Sequence, residues 1–161
     1  MRSGECLSST AKSSPNLNFT MTVLDLVYVG GRVPAESRVI EGVVNAGLEA
    51  VVSLTVQGPS GQSREIEAVI DTGFNDFLTV PSALAAELGL AYRNRGQMIL
   101  ADGSEVTFDI YRAALLWDGK PRHAYVYAAD ATPLVGMRML DRHNLSIDVE
   151  DGGRVLIQAK E

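Results

Sequence analysis

The sequence predicts an all-β fold with two short helices. From Val39 onward, runs of alternating apolar and polar residues follow one another, which is the pattern of strands with one buried face. The pairs Asp102-Gly103 and Asp118-Gly119 lie between such runs. Asp-Gly is a strong hairpin signal because both central residues of the favoured turn need a positive φ. Helical spacing is confined to two short segments.

The first predicted hairpin places apolar residues at every second position. A turn at 58–61, rich in Gly and Pro, separates its two strands. The second strand ends directly before Asp71, so the hairpin delivers that carboxylate to the end of a strand. The alternating positions are Val52, Leu54 and Val56 in the first strand and Ile66, Ala68 and Ile70 in the second.

Two short helices are predicted after this hairpin. Residues 76–80 are expected to be extended, and a helix follows over 81–89, with Pro81 in its first turn and Gly89 at its close. The second helix, 137–143, is predicted from apolar spacing alone.

Three further hairpins complete the prediction. The first pairs residues 97–100 with 105–110, the second pairs 111–117 with 122–127, and the last pairs 145–149 with 155–157. The two Asp-Gly pairs form the turns of the first two hairpins, and Asp151-Gly152-Gly153 forms the turn of the last.

Composition divides the chain and excludes several classes of function. Residues 1–37 are expected to be a poorly ordered extension, because the first 20 are rich in Ser, Thr and Asn, and residues 38–161 form the domain. The net charge of −6 and 14 scattered basic residues argue against nucleic acid as a partner. No apolar run approaches the about 20 residues of a membrane span. The single Cys6 gives no disulfide, so a cytoplasmic location is predicted.

Two motifs far apart in the sequence carry a resemblance to a known family. Asp71-Thr72-Gly73 follows an apolar strand, and Leu134-Val135-Gly136 precedes the second predicted helix. Over about residues 45–158 this order resembles the aspartic proteases, specifically their single-lobe, retropepsin-like branch. The resemblance implies a closed, β-barrel-like lobe with ψ-loops. It also implies a homodimer, because each chain has one Asp-Thr-Gly and therefore half an active site.

The resemblance implies an aspartic endopeptidase acting on peptide or protein substrates. Two Asp71 carboxylates held about 3 Å apart would share one proton, and the pair could then act as both base and acid on water and the peptide bond. Thr72 would hydrogen-bond to backbone across the dimer axis. Gly73 has no Cβ, so the loop can turn tightly and bring its amide towards the carboxylate. No cofactor and no metal are expected.

Other positions receive roles from the same resemblance. The hairpin tip Ala101-Asp102-Gly103-Ser104 corresponds to the flap that closes over substrate. Phe74 follows the glycine directly, where viral relatives often carry a small residue, so its ring is expected to shape the cleft. Leu134, Val135 and Gly136 correspond to the structural run that crosses beneath the Asp71 turn.

Several alternatives remain open at the level of sequence. Asp71-Thr72-Gly73 is also compatible with an ordinary Asp-initiated turn, since all three residues are common in turns. A retropepsin-like fold could instead serve as a catalytically silent dimeric binding or adaptor module. A chain that pairs with a different single-lobe partner is a third possibility.

Overall fold

The computed structural model of the protein describes residues 39–99 and 102–160. The predicted extension, 1–37, and Ala101 of the predicted flap lie outside the described residues. The fold below is therefore that of the predicted domain, 38–161, without residues 38, 100, 101 and 161.

Within these ranges the chain forms ten strands and one helix, so the prediction of an all-β fold is confirmed. The helix, α1, spans Ser82–Glu87 inside the predicted 81–89, with Pro81 before it and Gly89 after it at a φ of 56°. The strands are β1 Val39–Val44, β2 Ala50–Gln57, β3 Ser63–Ile70, β4 Leu78–Val80, β5 Ala91–Ile99, β6 Glu105–Trp117, β7 Lys120–Ala128, β8 Leu134–Val135, β9 His143–Ile147 and β10 Arg154–Ala159.

The strands pair in one sheet in the order β5-β6-β7-β4-β8-β3-β2-β1-β10-β9. Strand β6 pairs in addition with β2, through Ala114–Leu116 and Thr55–Gln57. The pairings therefore join β2, β3, β8, β4, β7 and β6 in a circuit. Strands β1, β10 and β9 extend from this circuit on one side, and the long hairpin of β5 and β6 extends from it on another.

The core lies on the shared inner face of these strands. On β2 the alternating residues Ala50, Val52, Leu54 and Val56 are all buried, as their spacing predicts. Their neighbours in the core come from β4, β6, β7, β8 and β10, together with Leu88 just after α1. Fully burying one such aliphatic side chain stabilises the fold by about 1.5–3 kcal/mol.

Strand β6 is longer than the sequence predicts. Residues 105–110 and 111–117 were expected as separate strands, yet they form one strand because no turn residue separates them. Its first part pairs with β5, which begins at Ala91 rather than at residue 97, and its later part pairs with β7. One strand thus connects the outer hairpin with the core.

The two Asp-Gly turns differ in backbone conformation. Asp118 and Gly119 both have a positive φ, 52° and 66°, as the hairpin turn between β6 and β7 requires. At the tip of the β5–β6 hairpin only Gly103 does, with a φ of 83°. There the Asp102 side chain accepts hydrogen bonds from the Ser104 amide and hydroxyl, so a side chain organises the turn.

The prediction of a second helix over 137–143 is wrong. This segment consists of successive turns, in which amide groups bond to carbonyl groups three residues back. The Met139 amide donates to the Gly136 carbonyl at 3.0 Å, and the Leu140 amide donates to the Met137 carbonyl at 3.1 Å. The apolar spacing reflects burial of Met139 and Leu140 rather than a helical face.

Tertiary hydrogen bonds explain why these turns do not become a helix. The carbonyl groups of Arg138 and Met139 accept from the Arg122 guanidinium on β7, at 2.8 and 2.9 Å. Arg142 has a φ of 62°, a left-handed conformation that ends any right-handed helix before it. The segment is therefore shaped by its neighbours and not by its own propensity.

Candidate active site

Asp71 lies at the point where β3 gives way to a loop, which we call the Asp71 loop (residues 71–77). The Asp71 amide donates to the Val135 carbonyl at 2.9 Å, which fixes the start of the loop on β8. The Gly73 amide donates to Asp71 Oδ1 at 2.8 Å, and the Phe74 amide donates to the Asp71 carbonyl at 3.2 Å. The Asp71 side chain is half-buried at a fixed position, whereas Thr72 is exposed beside it.

Strand β8 runs between the two strands that the Asp71 loop connects. It pairs parallel to β3, with Leu134 opposite Val69, and antiparallel to β4, where Val135 lies opposite Leu78. The Leu134 amide donates to the hydroxyl oxygen of Thr79 on β4 at 2.8 Å. The three strands therefore hold both ends of the loop in place.

Gly136 allows the chain to pass directly beneath the Asp71 loop. A Cβ at this position would lie 2.2 Å from the Asp76 carbonyl oxygen, 2.5 Å from the Phe74 ring and 2.7 Å from the Phe74 carbonyl oxygen. The close approach lets the amides of residues 136–138 donate to three carbonyl groups of the loop, those of Phe77, Phe74 and Asp76, at 2.8–3.1 Å. Only glycine fits this crossing.

Phe74 does not project freely from the loop. Its side chain is 8% exposed, and its ring packs edge-on against the Tyr127 ring of β7, with centroids 5.9 Å apart. The ring lies between Gly136 and β7, so it joins the loop to β7. A contact between Phe74 and substrate stays a prediction.

The far end of the loop carries an ion pair that the sequence did not indicate. Asp76 Oδ1 lies 3.3 Å from Arg138 Nε, and Tyr127 lies close to the same carboxylate. Burial, and then Asp76, raise the pKa of Tyr127 well above its ordinary value. No spacing rule links residues 76, 127 and 138; pairing of β4 with β7 and β8 brings them together.

The predicted flap tip is organised locally. The Ser104 hydroxyl and then its amide hold the pKa of Asp102 below its ordinary value, which favours an ionised carboxylate at the tip. Among the described side chains, none of the recorded hydrogen bonds or ion pairs joins Asp102, Gly103 or Ser104 to the Asp71 loop. The structure thus assembles Asp71 to Phe74 with residues 134–136, and no such bond ties the described part of the hairpin tip to them.

Within 39–99 and 102–160, no three His, Cys, Asp or Glu side chains are grouped so that they could hold a metal ion. The same part of the chain has no helix both long and apolar enough to cross a membrane.

The parts of the site follow one another in a definite order along the chain. Strand β3, the Asp71 loop, β4 and α1 are followed by a long hairpin, and β8 then returns between β3 and β4. Among solved structures, a retropepsin-like aspartic protease from Rickettsia conorii matches with a TM-score of 0.50 and 16% identity, over 75% of this chain and 90% of that one. The resemblance expected from the sequence is confirmed at the level of the fold.

A second solved structure, the protease of Simian Foamy Virus (mac), matches with a TM-score of 0.40 and 18% identity, over 55% of this chain and 91% of that one. Neither a family model nor a curated protein matches the sequence.

Proposed function

We propose that the protein is an aspartic endopeptidase that works as a homodimer, with Asp71 of each chain as the acid and base. The observation that carries the proposal is the support of Asp71. A half-buried carboxylate follows a strand, one of its oxygens accepts from the Gly73 amide, and Gly136 passes below. The bond from Gly73 alone also occurs in surface turns, as between Ser104 and Asp102, so the crossing of Gly136 beneath the loop is what distinguishes Asp71.

The chemistry requires two carboxylates. One accepts a proton from water as it attacks the peptide carbonyl carbon, and the other donates a proton to the carbonyl oxygen. Two carboxylates about 3 Å apart retain one shared proton because both cannot ionise at that distance, which gives one base and one acid at the same time. The rigid turn at Asp71 lowers the cost of holding such a pair together.

The second carboxylate comes from a second copy of the chain. Asp76 is the nearest other acid along the loop, but it already pairs with Arg138. Thr72 is exposed next to Asp71, where its hydroxyl can bond across a two-fold axis. The circuit of six strands supports a closed, barrel-like lobe in each half of the dimer.

The substrate in this proposal is an extended peptide lying over the two Asp71 loops, with the tip of the β5–β6 hairpin as the flap above it. Closure over the peptide would exclude water and so strengthen the electrostatic interactions in the site. Cytoplasmic location stays a prediction from the single cysteine.

The proposal is tested by digesting an unfolded protein mixture with wild type and with Asp71→Asn, from pH 3 to pH 8. Asparagine keeps an oxygen that can accept from the Gly73 amide, but it cannot exchange a proton. We therefore expect Asp71→Asn to stay folded and to lose at least a hundredfold in cleavage rate, roughly the lower end of what general acid-base catalysis contributes.

Light scattering of both proteins provides the control for assembly. Cleavage by Asp71→Asn at the wild-type rate would reject the mechanism. A wild-type dimer that cleaves nothing over the whole pH range would favour the binding or adaptor module instead.

A further inference from the structure

An open cavity lies against the outer hairpin of β5 and β6. Its volume is about 460 Å³, and strands β5, β6 and β7 each contribute to its lining. The lining residues are Arg93, Asn94, Ile110, Tyr125 and Tyr127. Two aromatic rings and an aliphatic side chain thus meet a guanidinium and an amide, a combination suited to a side chain with an apolar stem and a polar end.

Tyr127 links the cavity with the proposed active site. One side of this ring lines the cavity, and its edge-on contact with Phe74 reaches the residue directly after Asp71-Thr72-Gly73. A peptide bound over Asp71 therefore passes this wall within a few residues of the bond to be cut, since an extended chain covers about 3.3 Å per residue.

A β-bulge brings Arg93 into the lining. Tyr92 pairs with Tyr111 and Asn94 pairs with Ile110, so Arg93 is an extra residue without a partner on β6. In a regular strand, Arg93 and Asn94 would point to opposite faces, yet both line the same cavity. Bulges of this kind redirect one side chain, and they are frequent beside active sites.

The charge around this cavity is unbalanced. Neither Arg93 nor Arg112 has a carboxylate within 4 Å among the described residues, and Arg112 lies beside Tyr125 in the β6–β7 register. Arg122 instead bonds to two carbonyl groups, and Arg142 also has no carboxylate within 4 Å among the described residues. Four other arginines in the described chain have acidic partners. These pairs are Arg64 with Glu87, Arg95 with Asp109, Arg138 with Asp76, and Arg154 with Asp148.

We propose that this cavity is a specificity subsite that accepts an acidic side chain of the peptide substrate, with Arg93 binding its carboxylate. The stem of a glutamate would lie against Tyr125, Tyr127 and Ile110, and its carboxylate would meet the guanidinium. The inference rests on the proposed peptidase function and adds a substrate class to it: peptides with an acidic residue near the cleaved bond.

The first test maps cleavage sites in a tryptic peptide library of a whole proteome. Wild type should show glutamate enriched several-fold at one fixed distance from the cleaved bond. Arg93→Gln should lose that enrichment and cut glutamate sites about tenfold more slowly, in the range of one charge-assisted hydrogen bond, while sites with glutamine there are cut at the wild-type rate. Arg64→Gln, whose guanidinium pairs with Glu87, is the matched control and should keep the enrichment.

A binding measurement separates this inference from the activity. Asp71→Asn protein is titrated against two fluorescein-labelled octapeptide pools, which are identical except that one fixed position is Glu in one pool and Gln in the other. If Asp71→Asn binds the Glu pool more tightly and the double variant with Asp71→Asn and Arg93→Gln does not, the subsite is supported even if no cleavage is seen. Cleavage without preference for glutamate, or equal binding of the two pools, rejects the subsite and leaves the peptidase proposal standing.

Discussion

At the scale of single residues, Gly136 has the most demanding position near Asp71. Its missing side chain gives room to two carbonyl groups and one ring of the Asp71 loop. Because the amides that follow bond to the same loop, any group added here separates partners that are now 2.8–3.1 Å apart. The residue therefore acts on Asp71 indirectly, through the backbone beneath it.

Gly136→Ala is expected to destabilise the fold by about 3 kcal/mol, the upper part of the usual range for overpacking an interior. The Cβ would meet backbone atoms at 2.2 and 2.7 Å, and backbone cannot rotate away as the end of a side chain can. Urea unfolding followed by circular dichroism measures the loss.

Gly47→Ala serves as the matched control for this prediction. A Cβ at residue 47 meets nothing closer than the Asn45 side chain at 3.2 Å, so we expect a change of about 0.5 kcal/mol, typical of surface positions. If both variants lost the same free energy of unfolding, the close approach of Gly136 to the Asp71 loop would not be what limits the residue at position 136.

At the scale of elements, the turn segment 136–142 depends on bonds from outside itself. Its first three amides donate to the Asp71 loop, and two of its carbonyl groups accept from Arg122 of β7. The Arg122 guanidinium also lies 5.5 Å from the centroid of the Phe77 ring. One side chain thus joins β7, the loop and the turn segment.

Arg122→Met should lower the free energy of unfolding by about 1–3 kcal/mol, because methionine retains the apolar stem but leaves two carbonyl groups without their charged donor. Arg154→Met removes an arginine whose exposed partner is 3.9 Å away, and it should cost under about 0.5 kcal/mol. Chemical denaturation of both variants gives the comparison. Equal costs would mean that the turns hold their shape without Arg122.

At the scale of the whole molecule, the proposed site is incomplete in one chain. A catalytic pair assembled from two Asp71 residues makes activity a property of the dimer. This has a consequence that no monomeric enzyme shares: an inactive chain should inhibit an active one by pairing with it.

Wild type mixed with an equal amount of Asp71→Asn, and left to exchange subunits, should lose about half its activity per wild-type chain. Random pairing places half of the wild-type chains in mixed dimers, which have only one of the two Asp71 carboxylates that catalysis needs. The measurement is the initial rate of peptide cleavage before and after exchange, and Arg154→Met serves as the control partner. An unchanged rate after verified exchange would contradict the shared site.

Local features of the fold could be predicted from the sequence because neighbouring residues determine them. The alternation in β2 follows from the two faces of a strand, and the turn at Asp118-Gly119 follows from the conformations those residues tolerate. Pro81 and Gly89 likewise bracket α1. The identity of Asp71 as the candidate acid also came from sequence, through one strand and three residues.

Only the tertiary structure decided which distant segments meet. Leu134 and Val135 have no local reason to lie between β3 and β4, the turns at 136–142 form because Arg122 and the Asp71 loop take their hydrogen bonds, and Arg93 reaches the cavity through a bulge. Hydrophobic periodicity and turn-forming residues reflect interactions between residues that are close together in the sequence. Pairing over more than 60 residues is determined by burial and by hydrogen-bond partners that become available only when the whole sheet has formed.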